Sequence, residues 1–145
     1  MLLRPFSESD TDAVVQLWTD AGLVRPWNDP YKDIARKLTT QPDLFLVGEV
    51  GSADGRAGEL MASMMVGFDG HRGWVYYLAV SSAHRGQGHG RTLMRRAEEL
   101  LAERGCPKIS LMVRAGNESV LAFYEALGYA QDATVVLGKR LIADV

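Results

Sequence analysis

The sequence predicts a single domain, residues 1–145, of mixed α/β class: a central mixed sheet with helices packed against it. Three observations carry this. Apolar runs follow one another in the order β-α-α-β-β-β-α-β-α-β. Trp74 to Arg114 reads as strand, glycine turn, helix and strand, a unit expected to close as a right-handed parallel crossover. The runs Glu59 to Phe68 and Trp74 to Val80 are apolar on both faces, so both sides of the sheet need a cover.

Each element has its own signal. Leu2 to Phe6 is a short first strand. Ser9-Asp10-Thr11-Asp12 has the form of a capping box, with Ser9 as N-cap, and Val14, Leu17, Trp18 and Ala21 follow at helical spacing up to the stop at Gly22. In the loop Arg25-Pro26-Trp27-Asn28-Asp29-Pro30, Asp29 caps a second helix and Pro30 takes its first position. Tyr31, Ile34, Ala35 and Leu38 form the apolar stripe of that helix, and Pro42 ends it. Leu44 to Val50 is a strand, Gly51 to Gly58 a hairpin loop, and Asp69 to Gly73 a tight turn. A third helix spans Gly90 to Arg104, with Leu93, Met94, Ala97, Leu100 and Leu101 toward the core, and Gly105 and Pro107 stop it. Lys108 to Arg114 is the next strand. Asn117 caps a fourth helix in which Val120, Phe123, Tyr124 and Leu127 align before Gly128. Tyr129 to Leu141 holds one or two closing strands.

The bulk composition excludes several classes. Hydrophobic residues make up 47% and charged residues 23%, a globular balance. No apolar run approaches the ~20 residues of a membrane span, and Met1-Leu2-Leu3-Arg4-Pro5 lacks the form of a signal peptide. The single Cys106 excludes an internal disulfide and any multi-cysteine metal site, and no clustered ligand set suggests a metal. A cytoplasmic setting is the expectation. The net charge of -2 argues against bulk attraction to nucleic acid or anionic membrane.

The charge is nevertheless uneven. Arg85, Arg91, Arg95 and Arg96, with His84 and His89, cluster between Ser81 and Ala97, where there is no carboxylate. They surround Arg85-Gly86-Gln87-Gly88-His89-Gly90, which joins an apolar strand to a helix. Alternating glycines let the backbone turn tightly and aim several N–H groups at one spot, and the helix adds its free amides and the positive end of its dipole. This is a cradle for a phosphate or pyrophosphate. A P-loop would need G-x-x-x-x-G-K-[ST], which is missing. A dinucleotide fingerprint would need G-x-G-x-x-G, whereas the spacing here is G-x-G-x-G.

The turn fits [RQ]-x-x-G-x-[GA], and with it the sequence resembles the GNAT superfamily of N-acyltransferases over nearly the whole chain. A second signature fits as well: Asn117, then Tyr124 seven residues later, then Gly128-Tyr129. Within the superfamily the chain is most similar to the YpeA-type acetyltransferases, through the Arg25 to Pro30 loop, Asp69-Gly70-His71-Arg72-Gly73, Gly105-Cys106-Pro107-Lys108 and Leu137-Gly138-Lys139-Arg140-Leu141. The resemblance implies a three-layer fold, with a six- to seven-stranded mixed sheet flanked by four helices. It also implies acetyl-CoA as acyl donor. The pyrophosphate would lie on Arg85, Gly86, Gln87, Gly88, His89, Gly90 and Arg91, and the pantetheine arm on Leu78, Ala79 and Val80, with Asn117 and Tyr124 alongside.

The implied reaction is attack of a neutral primary amine on the acetyl thioester. Tyr124 takes the family's acid position, against a structural alternative as a core or propping side chain. The oxyanion donor falls on a backbone N–H around Leu78 or Ala79. The base is open. Ribosomal-protein alanine acetyltransferases carry Glu five residues before the Asn, where this chain has Met112. Glu49 alternates with Phe45 and Val47, which aims it into a cleft or leaves it a strand-end carboxylate in solvent. His71 and Asp69 are further candidate bases, directly or through water, and Asp69 alternatively touches substrate or only shapes its turn. Arg25, Trp27 and Asn28 lie where the family forms its acceptor wall, with a rigid loop as the alternative. A homodimer is compatible with the resemblance. Two rival functions are an acyl-CoA-binding regulatory domain without catalysis and a nucleic-acid-binding module using the arginine patch. The second lacks an aromatic platform.

Overall fold

The computed structural model of the chain describes residues 1–51 and 58–145. Most of the hairpin loop expected from Gly51 to Gly58 lies outside the described residues. In chain order the elements are β1 (Leu2–Pro5), α1 (Thr11–Asp20), α2 (Pro30–Lys37), β2 (Phe45–Glu49), β3 (Leu60–Phe68), β4 (Gly73–Val80), α3 (His89–Glu103), β5 (Ile109–Ser110) and α4 (Glu118–Ala126). The strands form one sheet in the order β1-β2-β3-β4-β5. The first four run antiparallel. β5 joins β4 in parallel, because α3 carries the chain back across one face before it re-enters the sheet.

Both faces of the sheet are covered, as the two-sided apolar runs require. On one face α1 and α2 bury Val14, Leu17, Trp18 and Ile34 against Phe45, Val47 and Met65. On the other, Leu93, Met94, Ala97 and Leu101 of α3 lie on Leu46, Met64, Val66 and Val75. β3 is the middle of this three-layer stack, and Met61 to Val66 are all buried. The α2 stripe is narrower than expected, since Ile34 is buried whereas Tyr31 and Ala35 are exposed.

Four expectations are corrected. The sheet has five strands among the described residues, not six or seven. β5 pairs with β4 only at Gly73–Ile109 and Trp74–Ser110, so the strand expected from Lys108 to Arg114 is two residues long. The closing strands expected from Tyr129 to Leu141 do not form. That segment finds no paired edge to extend, and Val135, Leu137 and Leu141 are 85%, 90% and 87% exposed. Beyond Asp132, which accepts from Lys108, the chain is tied down at Asp144, which bridges to Asn28 and accepts two hydrogen bonds from the Arg36 guanidinium, at 2.5 and 2.7 Å.

The fourth correction concerns the first helix. The reciprocal cap is Ser7 and Asp10, not Ser9 and Asp12, because a 3-10 turn over Glu8–Asp10 precedes α1 and moves the chain reversal back by two residues. The Ser7 N–H donates to Asp10 Oδ2 at 2.9 Å. The same carboxylate accepts from both Arg4 Nη atoms, at 2.7 and 2.8 Å, while Arg4 Nε donates to Glu49 at 2.7 Å. One guanidinium thus fastens β1 to the turn and to β2.

Arg4 and the Ser7 amide hold the Asp10 carboxyl below the ordinary carboxylate range. A carboxyl whose folded pKa is depressed stabilises the fold above its unfolded pKa and loses that contribution as pH falls through the folded value. Asp10→Asn should therefore cost roughly 2 kcal/mol at neutral pH. The gap to wild type should hold down to about pH 5 and close as the pH drops below ~4. Urea unfolding of both proteins across that range measures it.

Candidate functional site

β4 is not a regular strand. Its pairing with β3 runs Gly73 to Tyr76 against Phe68 to Met65, then resumes at Ala79–Ser63. Tyr77 and Leu78 therefore stand opposite the single residue Met64, a β-bulge. Tyr77 carries the strain, with φ +53 in the left-handed region. That conformation costs a side-chain-bearing residue roughly 1–2 kcal/mol. Since β5 pairs only at Gly73 and Trp74, the stretch Tyr76 to Val80 has no strand on its β5 side. An open backbone edge is the result, and it contains Leu78, Ala79 and Val80.

The open edge leads into the glycine turn. A short 3-10 turn over Ser82–His84 follows Val80, whose carbonyl accepts from Arg85 Nε at 3.1 Å. Gly86 and Gly88 have φ +75 and +82, and Gly88 is the N-cap of α3. The amides of His89, Gly90 and Arg91 form the first helical turn and have no acceptor within the helix. No acidic side chain stands in that turn. Arg85, Gln87 and Arg91 are exposed beside it. The third glycine has another role. A Cβ on Gly90 would lie 2.9 Å from the Phe123 ring, so this position keeps α3 close to α4. His84 and His89 meet edge to face at 6.4 Å, and His89 Nε2 lies 3.3 Å from Gln87 Oε1.

Asn117 and Tyr124 line one open cavity of about 1000 Å³, with Leu111, Val113, Leu121 and Tyr129. It runs along β5 and α4 and includes none of the glycine-turn residues. Asn117 sits at the N-cap position of α4, yet its side chain does not cap; its Oδ1 instead accepts from Ser119 at 3.4 Å. Tyr124 is 9% exposed, and its hydroxyl has no hydrogen-bond partner among the described residues. Burial pushes its phenol up to about 12, so it stays a proton donor at neutral pH. Neighbouring Tyr129 is already committed and donates to Glu98 at 2.7 Å.

The other face of β4 holds a polar knot. Tyr77 Oη donates to Asp33 Oδ2 at 2.6 Å. Asn28 Nδ2 donates to the same carboxylate at 2.5 Å and reaches Tyr77 Oη at 3.1 Å. Asp33 went unnoticed in the sequence, where it looks like an acid in the first turn of a helix, favourable to the dipole and nothing more. Trp27 is half exposed near this knot, and the Arg25 carbonyl accepts from the Asn28 N–H at 3.0 Å.

The candidate bases are scattered. Glu49 is held by Arg4, with a side chain only 12% exposed. Asp69 spends one oxygen on the N–H groups of His71 and Arg72, at 2.8 and 2.7 Å, and the other on Trp74 Nε1 at 3.2 Å. Its pKa is lowered by those backbone donors. Asp69 and exposed His71 stand at the opposite end of β4 from the glycine turn, about 25 Å away for eight residues of strand. Cys106 Sγ lies 3.3 Å from the Lys108 carbonyl and packs on the core beside Gly73.

An open strand edge leading into a cluster of free helix amides suits a long, anion-tailed ligand laid across the sheet. The chain belongs to the acetyltransferase (GNAT) family, whose model matches residues 11–129. It is an acyltransferase enzyme by that membership and by its relatives. An acetyltransferase of Sodalis glossinidius is 51% identical over 145 residues, covering 99% of this chain and 98% of that one. Among solved structures, Ard1 from Thermoplasma volcanium aligns with a TM-score of 0.74 at 21% identity, over 91% of this chain and 84% of that one. The NatC complex bound to Gag peptide and CoA aligns with a TM-score of 0.71 at 23% identity, over 87% and 82%. These two likenesses concern the fold.

Gly90→Ala drives a methyl into the Phe123 ring, and overpacking of this kind costs about 1–3 kcal/mol. Thermal unfolding should show the loss, and Phe123→Leu on the same background should recover most of it.

Proposed function

We propose that the protein moves an acetyl group from acetyl-CoA to a primary amine by direct attack in a ternary complex. The observation that carries this is the opening of β4 from β5 beyond Trp74, with the α3 amides at its far end. The pantetheine arm carries amide groups that can pair with a free strand edge, and the pyrophosphate matches the first turn of α3. Gly86 and Gly88 supply the left-handed backbone of the cradle, and Arg85 and Arg91 supply positive charge around it. The NatC structure, similar in fold, was solved with CoA bound.

In this scheme the acceptor amine must lose its proton, since ordinary amines titrate near ~8 to ~10. Glu49, Asp69 and His71 are each held or placed away from the open edge, so water takes that proton. The amine then attacks the thioester carbon, and the charge that develops on the carbonyl oxygen is met by a backbone N–H of β4 at Leu78 or Ala79. When the tetrahedral species collapses, the C–S bond breaks and the leaving sulfur takes a proton from Tyr124, whose ring is buried, whose hydroxyl has no hydrogen-bond partner among the described residues, and whose phenol remains protonated. The acceptor approaches from the loop of Arg25, Trp27 and Asn28, where Trp27 offers an exposed ring. The reaction takes place in the cytoplasm.

Acetyl-CoA should bind with a simple isotherm, and a panel of small amines, amino acids and peptides should yield at least one acetylated product by mass spectrometry. Tight binding with no product across the panel would leave a regulatory binding domain instead. Against a productive acceptor, Tyr124→Phe should lower kcat roughly 10²-fold while acetyl-CoA affinity changes less than about threefold. With a phenol near pH 12, the wild-type rate should rise through the acceptor's own amine pKa and show no descending limb from Tyr124 below about pH 11.

A further inference from the structure

We propose that Ser63, together with the Tyr77–Asp33 pair, is a positioning device that aims the Leu78 N–H at the carbonyl oxygen of the acyl donor. The inference rests on the acetyl-CoA scheme above and deepens it, because it selects one amide and names what holds it.

Two peptide facts carry the argument. A bulge turns a backbone carbonyl out of the ladder, and a carbonyl left in a dry core needs a donor. At Tyr77 that donor is Ser63 Oγ, which donates to the Tyr77 carbonyl at 2.9 Å. Ser63 is fully buried and is itself fixed, since its Oγ accepts from Trp18 Nε1 at 2.8 Å. The second fact is planarity. In a trans peptide the carbonyl of one residue and the N–H of the next lie in one plane and point in opposite directions. No peptide bond among the described residues is cis. Fixing the Tyr77 carbonyl toward β3 therefore aims the Leu78 N–H away from β3, toward the side where β4 has no partner strand.

The Tyr77 side chain locks the same plane from outside. Its ring stacks on Trp18 with centroids 3.8 Å apart and an interplanar angle of 14°. Its hydroxyl donates to Asp33 and accepts from Asn28. Trp18 thus grips Tyr77 twice, through the ring face and through Ser63. Four side chains from α1, the acceptor-side loop, α2 and β3 converge on one strained residue, one position before the amide in question. Burial and the Asp33 carboxylate keep the Tyr77 phenol neutral, so the latch does not open by ionisation at physiological pH.

The test needs no acceptor. Acetyl-CoA labelled with ¹³C at the acetyl carbonyl is bound to wild type, Ser63→Ala and Tyr77→Phe, and the isotope-edited infrared band is read with the slow hydrolysis of the thioester. Wild type should shift the carbonyl band below its position in free acetyl-CoA. Ser63→Ala should bind acetyl-CoA within about threefold of wild type, return the band most of the way to the free position, and slow hydrolysis about tenfold. Tyr77→Phe keeps the ring stack and should move the band part of the way in the same direction. If Ser63→Ala does not fold, Tyr77→Phe decides the matter alone. A wild-type band in the folded variants overturns the inference, as does bound wild type whose band sits at the free position. Failure of wild type to bind acetyl-CoA overturns the coenzyme scheme itself, and the two failures are told apart by the binding measurement.

Discussion

The left-handed backbone of Tyr77 divides β4 into two stretches with different neighbours. Before it, Gly73 and Trp74 pair with β5 and close the sheet. After it, the strand keeps β3 on one side and leaves the other side open. A regular strand would continue its ladder, and an edge that long would invite any passing strand. The bulge removes that regularity, and the fold meets the conformational cost with a stacked indole, a buried serine hydroxyl and a carboxylate.

The electrostatics of the molecule follow the same line. The α3 amides and the arginines around the glycine turn gather positive potential at one end of the open edge, in a chain whose net charge is -2. Two carboxylates of the sheet and its cover are already engaged: Asp33 by Tyr77 and Asn28, and Glu49 by Arg4. Field near the edge is therefore set by backbone dipoles and uncompensated guanidinium groups, which suits an anionic tail.

Local chemistry was legible in the sequence where it depends on neighbours in the chain. Gly22, Gly105 and Gly128 were expected as helix stops, and each has a positive φ, of +73, +78 and +94. Asp29 caps α2 through the Tyr31 N–H, with Pro30 behind it, as expected. Asn117 and Tyr124 do share a cavity. Apolar patterning misled at β5 and beyond, because strand propensity measures fitness for a pleated surface and not the presence of a partner strand. Lys108 to Arg114 has the residues of a strand, but only Ile109 and Ser110 find β4 alongside. Asp33 and Ser63 escaped for a different reason. Their roles depend on Tyr77, which is 44 and 14 residues away. Ser63 did leave a trace, as the one hydroxyl in the apolar run Leu60–Phe68.

The contact between Gly90 and Phe123 has a consequence for molecular length. Gly90 lies in the first turn of α3, and Phe123 adjoins Tyr124 on α4. With no Cβ between them, the two helices sit against each other at a fixed spacing. In the proposed scheme the anion cradle and the Tyr124 phenol are therefore two marks on one ruler. A coenzyme gripped at the cradle would present the same atom to Tyr124 whatever its far end carries. A longer acyl chain would extend past the mark and leave the thioester in place, whereas a shortened arm would leave the mark empty. Selection would then act on the distance from phosphate to sulfur, and the acyl group itself would be judged only by the space beyond.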